Sequence, residues 1–473
     1  MSLMNWIDDR FPATKVWNEH LAEYYAPKNF NFWYFFGSLA LMMLVLQIVT
    51  GILLAMNYKP DAELAFASVE YIMRDVPGGW FIRYMHSTGS SAFFIVVYLH
   101  MFRGLIYGSF RNPRELIWLI GMVIYLAMMA TAFFGYLLPW GQMSYWGAQV
   151  IINLFNAIPV IGPGLSEWVR GDYVISDITL NRFYAFHYLV PFILVGLVYV
   201  HIVALHKVGS NNPDGIEIKK GPKGNRWDEN APADGIPFHP YYSVKDIVGV
   251  AGFLILFFAV VFFAPEMGGY FIEAPNFEPA NPLKTPEHIA PVWYFTPYYA
   301  ILRAVPSLAG TQVWGVIAMF GSIAVMFFLP WLDRSPVKSI RYKGLLNKIA
   351  IALFAITFIV LGWLGVKSPS TTLTLLAQFL TVIYFLFFFL MPSYSRAQGD
   401  RPLSTMVLFV VSGLMTLGTV YYWLANTLVN TEGVTMLILM YTVLLSIVFF
   451  FLGIKPLFIK PDTTKPVPDR VTS

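Results

Sequence analysis

Apolar residues along this chain arrive in long uncharged runs, not in the three-and-four rhythm of helices that turn one face to water. A helix that crosses a bilayer needs about 20 such residues. Ten stretches are long enough, near 33 to 56, 82 to 106, 115 to 138, 183 to 206, 246 to 265, 311 to 332, 348 to 366, 371 to 391, 404 to 425 and 434 to 454. None holds Asp, Glu, Lys or Arg in its middle. The pattern predicts an all-α integral membrane fold of about ten spans. With the loops assigned to alternate sides, 23 of the 31 Lys and Arg residues fall on the side of the amino terminus. Basic loops stay in the cytoplasm, so both termini are expected there. The loop at 207 to 245, with Lys219, Lys220, Lys223 and Arg226, is the clearest vote.

Two loops on the opposite side are too long to be simple connectors. Residues 139 to 182 contain AQVIINLFNAIPVI at 148 to 161, apolar but too short to span, and this segment is expected to lie along the interface. Residues 266 to 310 are rich in Pro, Glu, Asn and aromatics. Long loops of this kind usually bind substrates or partners.

Composition agrees with the runs. Of 473 residues, 57% are hydrophobic and 12% charged, against about 25% charged in soluble domains. The absence of cysteine excludes disulfides, thiolate metal sites, iron–sulfur clusters and thioether-linked haem within this chain. The net charge of +4 is read as topology, not as a nucleic-acid site. Residues 1 to 32 are polar and broken by prolines, so no cleavable signal is expected, and the first span serves as its own insertion signal.

Histidine gives the chemistry. The second span carries His86 and His100, the fourth His187 and His201, and each pair is 14 residues apart. In an α-helix 14 residues advance about 21 Å and miss whole turns by only about 40°. Each helix therefore offers two imidazoles on one face, one near each membrane surface. The two helices run in the same direction, so His86 meets His187 in depth and His100 meets His201. The first and third spans repeat the spacing with Gly37 and Gly51, and with Gly121 and Gly135. Glycine admits a close neighbour, as a porphyrin edge among four helices requires. A lone buried histidine or glycine would ordinarily be a packing residue, but four pairs sharing one spacing predict a haem-binding four-helix bundle. Two axial histidines leave the iron no free position, which selects electron transfer over oxygen chemistry.

Several longer segments resemble cytochrome b of the respiratory quinol:cytochrome c oxidoreductase, the bacterial bc complex: RYMHSTGSSAFF at 83 to 94, GYLLPWGQMSYWGA at 135 to 148, RFYAFHYLVPF at 182 to 192 and HPYYSVKD at 239 to 246. The likeness covers roughly residues 20 to 392. It implies two non-covalent haem b groups, a low-potential one on His86 and His187 near the outer face and a high-potential one on His100 and His201 near the inner face. Arg83 and Arg103 match the partners of the haem propionates. Quinol oxidation would map onto Tyr136, Gly147, Pro291, Trp293, Tyr294 and Tyr299. Quinone reduction at the inner face would map onto His206, Ser210, Lys245 and Asp246. His206 lies about 500° of helix rotation beyond His201, well off the ligand face. The resemblance also implies a Rieske iron–sulfur subunit, a cytochrome c1-type subunit passing electrons to cytochrome c, and a homodimer in the bacterial inner membrane. One electron of quinol leaves toward the iron–sulfur protein and the other crosses the bilayer, in a Q cycle that translocates protons. The expected divisions are an amino-terminal segment at 1 to 32, the di-haem bundle at 33 to 210, a basic loop at 211 to 245, a carboxy-terminal region at 246 to 392, and an extension at 393 to 473.

The chain departs from the pattern in two places. Ubiquinol-using members commonly read Pro-Glu-Trp-Tyr in the second long loop, whereas here the residues are Pro291, Val292, Trp293 and Tyr294. Valine cannot accept a proton, so Glu287, His288 or Tyr136, with ordered water, is expected to replace the glutamate. The same change clouds the quinone, with ubiquinone the first expectation and menaquinone the second. The two last spans extend the eight-span core and carry no histidine or acidic residue, so no chemistry is assigned to them. Two other classes compete: a proton-coupled transporter, which would need acidic residues at mid-membrane, and the b-type haem anchor of a dehydrogenase, which would need no long second loop.

Overall fold

The structure is a computed structural model that describes residues 2–218, 232–307, 312–395 and 464–472. Among these, seven helices are long and apolar enough to cross a membrane. The last two predicted spans, and the basic cluster from Lys219 to Arg226, lie outside the described residues. The chain divides into two compact units, Met1–Val292 with Val467–Ser473, and Trp293–Pro466.

The first unit contains α1 (Phe35–Ala55), α2 (Gly79–Tyr107), α3 (Glu115–Leu137), α4 (Gln142–Phe155), α5 (Gly162–Arg170), α6 (Asp177–Val208) and α7 (Ser243–Phe263). Helix α1 packs along α2, α3 along α6, and α7 against α1 and α2. The sequence sets where these helices stop. Helix α2 runs between Gly78 and Gly108, both in the left-handed region at φ 72° and 65°, where a glycine is the cheapest residue. Helix α6 begins at Ser176, whose backbone N–H donates to the Thr179 hydroxyl at 3.0 Å, with Asp177 in the first turn against the positive end of the helix dipole. Large apolar residues remain exposed on several sides of these helices, among them Val45, Val49, Leu126, Ile193 and Leu256. Lipid is the medium that suits such surfaces.

The fold is not purely helical. Tyr25–Pro27 and Gly235–Pro237 form a two-stranded antiparallel ribbon, β1 and β2. Of the apolar segment at 148 to 161, residues 148 to 155 form the second half of α4, which begins at Gln142, and the rest turns into α5. A core of Leu137, Trp140, Tyr145, Ala148, Ile152, Leu180 and Phe183 fixes α4 against the ends of α3 and α6.

The second unit contains α8 (Thr296–Ala304), α9 (Val313–Phe327), α10 (Leu345–Val366) and α11 (Thr371–Phe389). Buried Tyr384 on α11 donates to the Ser322 carbonyl of α9 at 2.7 Å. Arg303 donates to the carbonyls of Leu364 and Lys367 at the end of α10, where the helix dipole is negative. The sixth predicted span, 311 to 332, is instead α9 followed by a separate turn at Leu329–Leu332. Pro330 sits at the start of that turn, where its missing N–H costs nothing. At about 1.5 Å per residue the 15 residues of α9 fall short of a bilayer core of about 30 Å.

Candidate functional site

The four histidines meet in the two predicted couples. The ring centroids of His86 and His187 are 6.1 Å apart, and those of His100 and His201 are 6.5 Å apart. Two metal–imidazole bonds of about 2 Å, with about 1 Å from each nitrogen to its ring centre, require roughly 6 Å. Both couples are therefore spaced so that each could hold one iron between its two imidazoles. Among the described residues no group of three or more His, Asp or Glu is arranged to hold a metal.

The glycines stand behind these rings, each against a different one. A Cβ on Gly51 would lie 3.1 Å from Cε1 of His86, on Gly121 3.3 Å from Cε1 of His201, and on Gly37 3.5 Å from Cε1 of His100. On Gly135 it would overlap the ring of His187. Each glycine thus gives clearance to an imidazole, beside the porphyrin edge that the spacing alone suggests. The reason is visible at Gly135. His187 Nδ1 donates to the Thr131 carbonyl at 2.8 Å, one turn before Gly135 on α3, and a side chain at 135 would block that approach.

Hydrogen bonds choose the free nitrogen. Thr50 gives its one hydroxyl proton to the Leu46 carbonyl at 2.7 Å, so it accepts from His86 Nδ1 at 2.9 Å. With Nδ1 protonated on both His86 and His187, each Nε2 keeps a lone pair for a metal, and the acceptor behind the ring fixes its orientation. At the other couple Arg103 approaches His100 Nδ1 at 3.3 Å, and its buried Nε has no partner. If His100 Nε2 binds iron, Nδ1 must carry the proton, and Arg103 then faces a donor. The guanidinium would be released toward an acceptor such as a carboxylate, as the propionate of a haem provides. Arg83, also on α2, lies 5.9 Å from the ring of Tyr84. The donor set, the ring spacing and the orphaned Nε all fit haem b.

On the polar side of the bundle His206 points away from the ligand couples. It stacks on Tyr24 at 4.2 Å and contacts His20 at 3.0 Å between Nδ1 atoms. Tyr24 also hydrogen-bonds Ser210 at 3.0 Å. Asp246 accepts from Ser38 at 2.5 Å, and the Lys245 ammonium sits 5.3 Å from the Tyr242 ring. His206 and Ser210 thus share one cluster, whereas Lys245 and Asp246 have other partners. His20 and Tyr24 are not linked by any spacing in the sequence to residues 206 to 210; β1 pairing with β2, and bonds such as Asn29 Nδ2 to Asp214 Oδ2 at 3.0 Å, bring the amino-terminal segment back to the bundle.

At the opposite end, the loop after α7 is fastened to the start of α4. Ser144 N donates to Asn276 Oδ1 at 2.9 Å, Gln142 N to the Glu278 carbonyl at 3.0 Å, and Asn281 N to Gln142 Oε1 at 2.8 Å. Buried Gly147 leaves room for Tyr136, whose Cε1 would lie 3.1 Å from a Cβ there. The Tyr136 hydroxyl donates to Glu273 Oε2 at 3.0 Å. Desolvation raises the Glu273 carboxyl to about 7, against the opposing pull of its own backbone amide and of Tyr136. Glu287 is exposed, His288 and Pro291 are half-buried, and Val292 is buried. In the second unit Tyr294 is buried, Trp293 is half-buried and accepts at its carbonyl from Thr296 at 2.5 Å, and Tyr299 lies 4.7 Å under the Arg303 guanidinium.

Two family models match the chain, Cytochrome b/b6/petB over residues 21–209 and Cytochrome b(C-terminal)/b6/petD over residues 279–385. A cytochrome b of Allochromatium vinosum is 68% identical over 404 residues, which is 85% of this chain and 98% of that protein. The chain belongs to the cytochrome b family. A cytochrome b of Rhodospirillum rubrum is 49% identical over 405 residues, 85% of this chain and 95% of that one. Among solved structures, a chain of a hyperthermophilic respiratory Complex III is similar with a TM-score of 0.75 and 37% identity, covering 83% of this chain and 98% of its own. Membership implies haem b, in agreement with the histidine couples, and a membrane protein, in agreement with the seven apolar helices.

Proposed function

We propose that the chain is the di-haem subunit of a quinol:cytochrome c oxidoreductase in a bacterial inner membrane, with both termini cytoplasmic. The observation that carries this reading is the pair of histidine couples, each spaced for one iron and each backed by glycines. His86 and His187 would hold the low-potential haem near the outer face, and His100 and His201 the high-potential haem near the inner face. Arg83 and Arg103 would neutralise propionates. Bound haem supplies one-electron transfer, and driving one charge through about 100 mV needs about 2.3 kcal/mol, which quinol oxidation must provide.

The chain's own residues would bind quinone and handle its protons. Tyr136, Gly147, Pro291, Trp293, Tyr294 and Tyr299 are assigned to quinol oxidation at the outer face. His206, Ser210, Lys245 and Asp246 are assigned to quinone reduction at the inner face, and the contacts of His206 and Ser210 add Tyr24 and His20 to that set. The chain has no cysteine for an iron–sulfur cluster, so the first electron needs a Rieske subunit, with a cytochrome c1-type subunit beyond it. The complex is assigned as a homodimer that bifurcates electrons in a Q cycle. The family match extends through 279–385, beyond the bundle that a dehydrogenase anchor would need. Ubiquinone is the first choice of substrate and menaquinone the second.

The purified complex should hold two protohaems per chain by haemochrome assay. It should contain an iron–sulfur protein and a c-type cytochrome, and it should reduce cytochrome c with ubiquinol or menaquinol analogues in an inhibitor-sensitive way. A preparation with fewer than two haems, or without those partners, would sink the assignment.

A further inference from the structure

The loop valine leaves the outer site without the family's carboxylate, and the structure supplies another. Glu273 lies well upstream of Val292, but the loop is not free there. The Glu273 carbonyl accepts from Asn276 N at 2.9 Å, and buried Asn276 is tied in turn to Ser144 at the start of α4. That fixes the Glu273 side chain toward Tyr136 on α3. Tyr136 is held from its other side by the clearance at Gly147. The Tyr136 hydroxyl donates, so Glu273 is the acceptor of the pair. Tyr136 is the ionisable side chain hydrogen-bonded to Glu273, whose other partner is its own backbone amide. Ala274 and Pro275, next along the loop, are exposed, giving a proton on Glu273 a short way to water.

We propose that Glu273 is the proton acceptor of the outer quinol site, acting through Tyr136 in place of the carboxylate that Val292 lacks. This rests on the functional reading above. As the quinol is oxidised, its O–H bond breaks and the proton passes to the Tyr136 oxygen. Tyr136 passes its own proton to Glu273 Oε2, the quinol's other hydroxyl proton leaves with the first electron toward the Rieske subunit, and the second electron goes to the haem at His86 and His187. The net transfer is one proton from quinol to Glu273, which then releases it to the outer aqueous side. A carboxyl raised to about 7 by burial suits a base that must accept and release protons near neutral pH.

The test uses the whole complex. Glu273→Gln should lower quinol:cytochrome c reduction by about 10²-fold or more, the range of a lost general base. The wild-type rate should rise as pH passes upward through about 7 and the carboxyl ionises, and the variant should flatten that rise. Both haem spectra, and haem reduction through the inner site, should stay unchanged. Glu273→Asp should retain part of the rate and move the rise to another pH, a change that a purely structural role would not produce. Val292→Glu in the Glu273→Gln background should restore rate by returning a carboxylate to the loop. Should Glu273→Gln fail to assemble, the Asp variant decides: an unmoved pH profile overturns the proposal. A Glu273→Gln complex with wild-type rate and profile overturns it as well. A wild-type complex with two haems but no quinol-dependent cytochrome c reduction would overturn the functional reading itself, and this assignment with it.

Discussion

The 86/187 and 100/201 couples are built on one spacing but sit in different surroundings. His86 and His187 each give an Nδ1 proton to a neutral oxygen, the Thr50 hydroxyl and the Thr131 carbonyl. The other couple lacks this support. The backbone of Ile117, one turn before Gly121 as Thr131 is one turn before Gly135, faces His201. It does not reach hydrogen-bond geometry, and the buried His201 Nδ1 has no partner. His100 has the cationic Arg103 at 3.3 Å instead. An acceptor on Nδ1 makes an imidazole a stronger donor to iron and favours the ferric state. Without such an acceptor the ferric state is less favoured at the 100/201 couple. The difference gives a physical reason for the potential order that the proposed function requires, low at 86/187 and high at 100/201.

The largest effect should come from removing a ligand. His187→Leu should leave one haem per chain, the high-potential one, and abolish quinol:cytochrome c reduction, whereas His201→Leu should leave only the low-potential one. A redox titration of the b-band checks both. If either variant kept two haems, or if the surviving potentials were reversed, the contrast between the couples would fail.

Gly135→Ala should come next. Its Cβ would overlap the His187 ring, and the ring cannot retreat without giving up the Thr131 carbonyl. The variant is expected to lose most of the low-potential haem while keeping the other. Haem content per chain and the titration amplitude report it directly.

Thr50→Val should act more gently, because it removes an acceptor and keeps the shape. It leaves the buried His86 Nδ1 proton without a partner, a penalty of about 1–3 kcal/mol. Only the part that differs between ferric and ferrous states moves the potential. At about 59 mV for 1.4 kcal/mol in a one-electron couple, an upward shift of some tens of mV in the low-potential haem is expected, with the other haem unmoved. An unchanged potential would mean that Thr50 merely packs.

Much of this was legible in the sequence because helices turn spacing into geometry. Fourteen residues on a helix fix a depth and a face, so spacing alone pairs His86 with His187 and His100 with His201, and the apolar runs mark the seven long helices. What could not be read was set by contacts between distant segments. Glu273 is one acidic residue among several in its loop, and only the bonds from Asn276 and Glu278 to the start of α4 place it at Tyr136. Glu287 is the sequence candidate because it lies near Val292 along the chain, yet it is exposed. His20 and Tyr24 reach His206 through a three-residue ribbon too short to announce itself. The split of the sixth predicted stretch was signalled by Pro330, but an apolar run hides a break when it continues on both sides.

The smallest effect should be that of Gly37→Ala, and it decides what the glycines are for. A Cβ there would meet His100 at 3.5 Å, an ordinary van der Waals contact. If the glycines serve the imidazoles, alanine at 37 should keep both haems. It should also leave the helix unchanged or stabilise it by up to about 1 kcal/mol, the usual difference between these residues in a helix interior. If they serve the porphyrin itself, all four positions should be equally intolerant, since a haem would crowd each of them alike. Haem content after Gly37→Ala, set beside Gly135→Ala, separates the two accounts. Equal loss at both positions would discard the graded order Gly135, Gly51, Gly121, Gly37 that the distances to the rings predict.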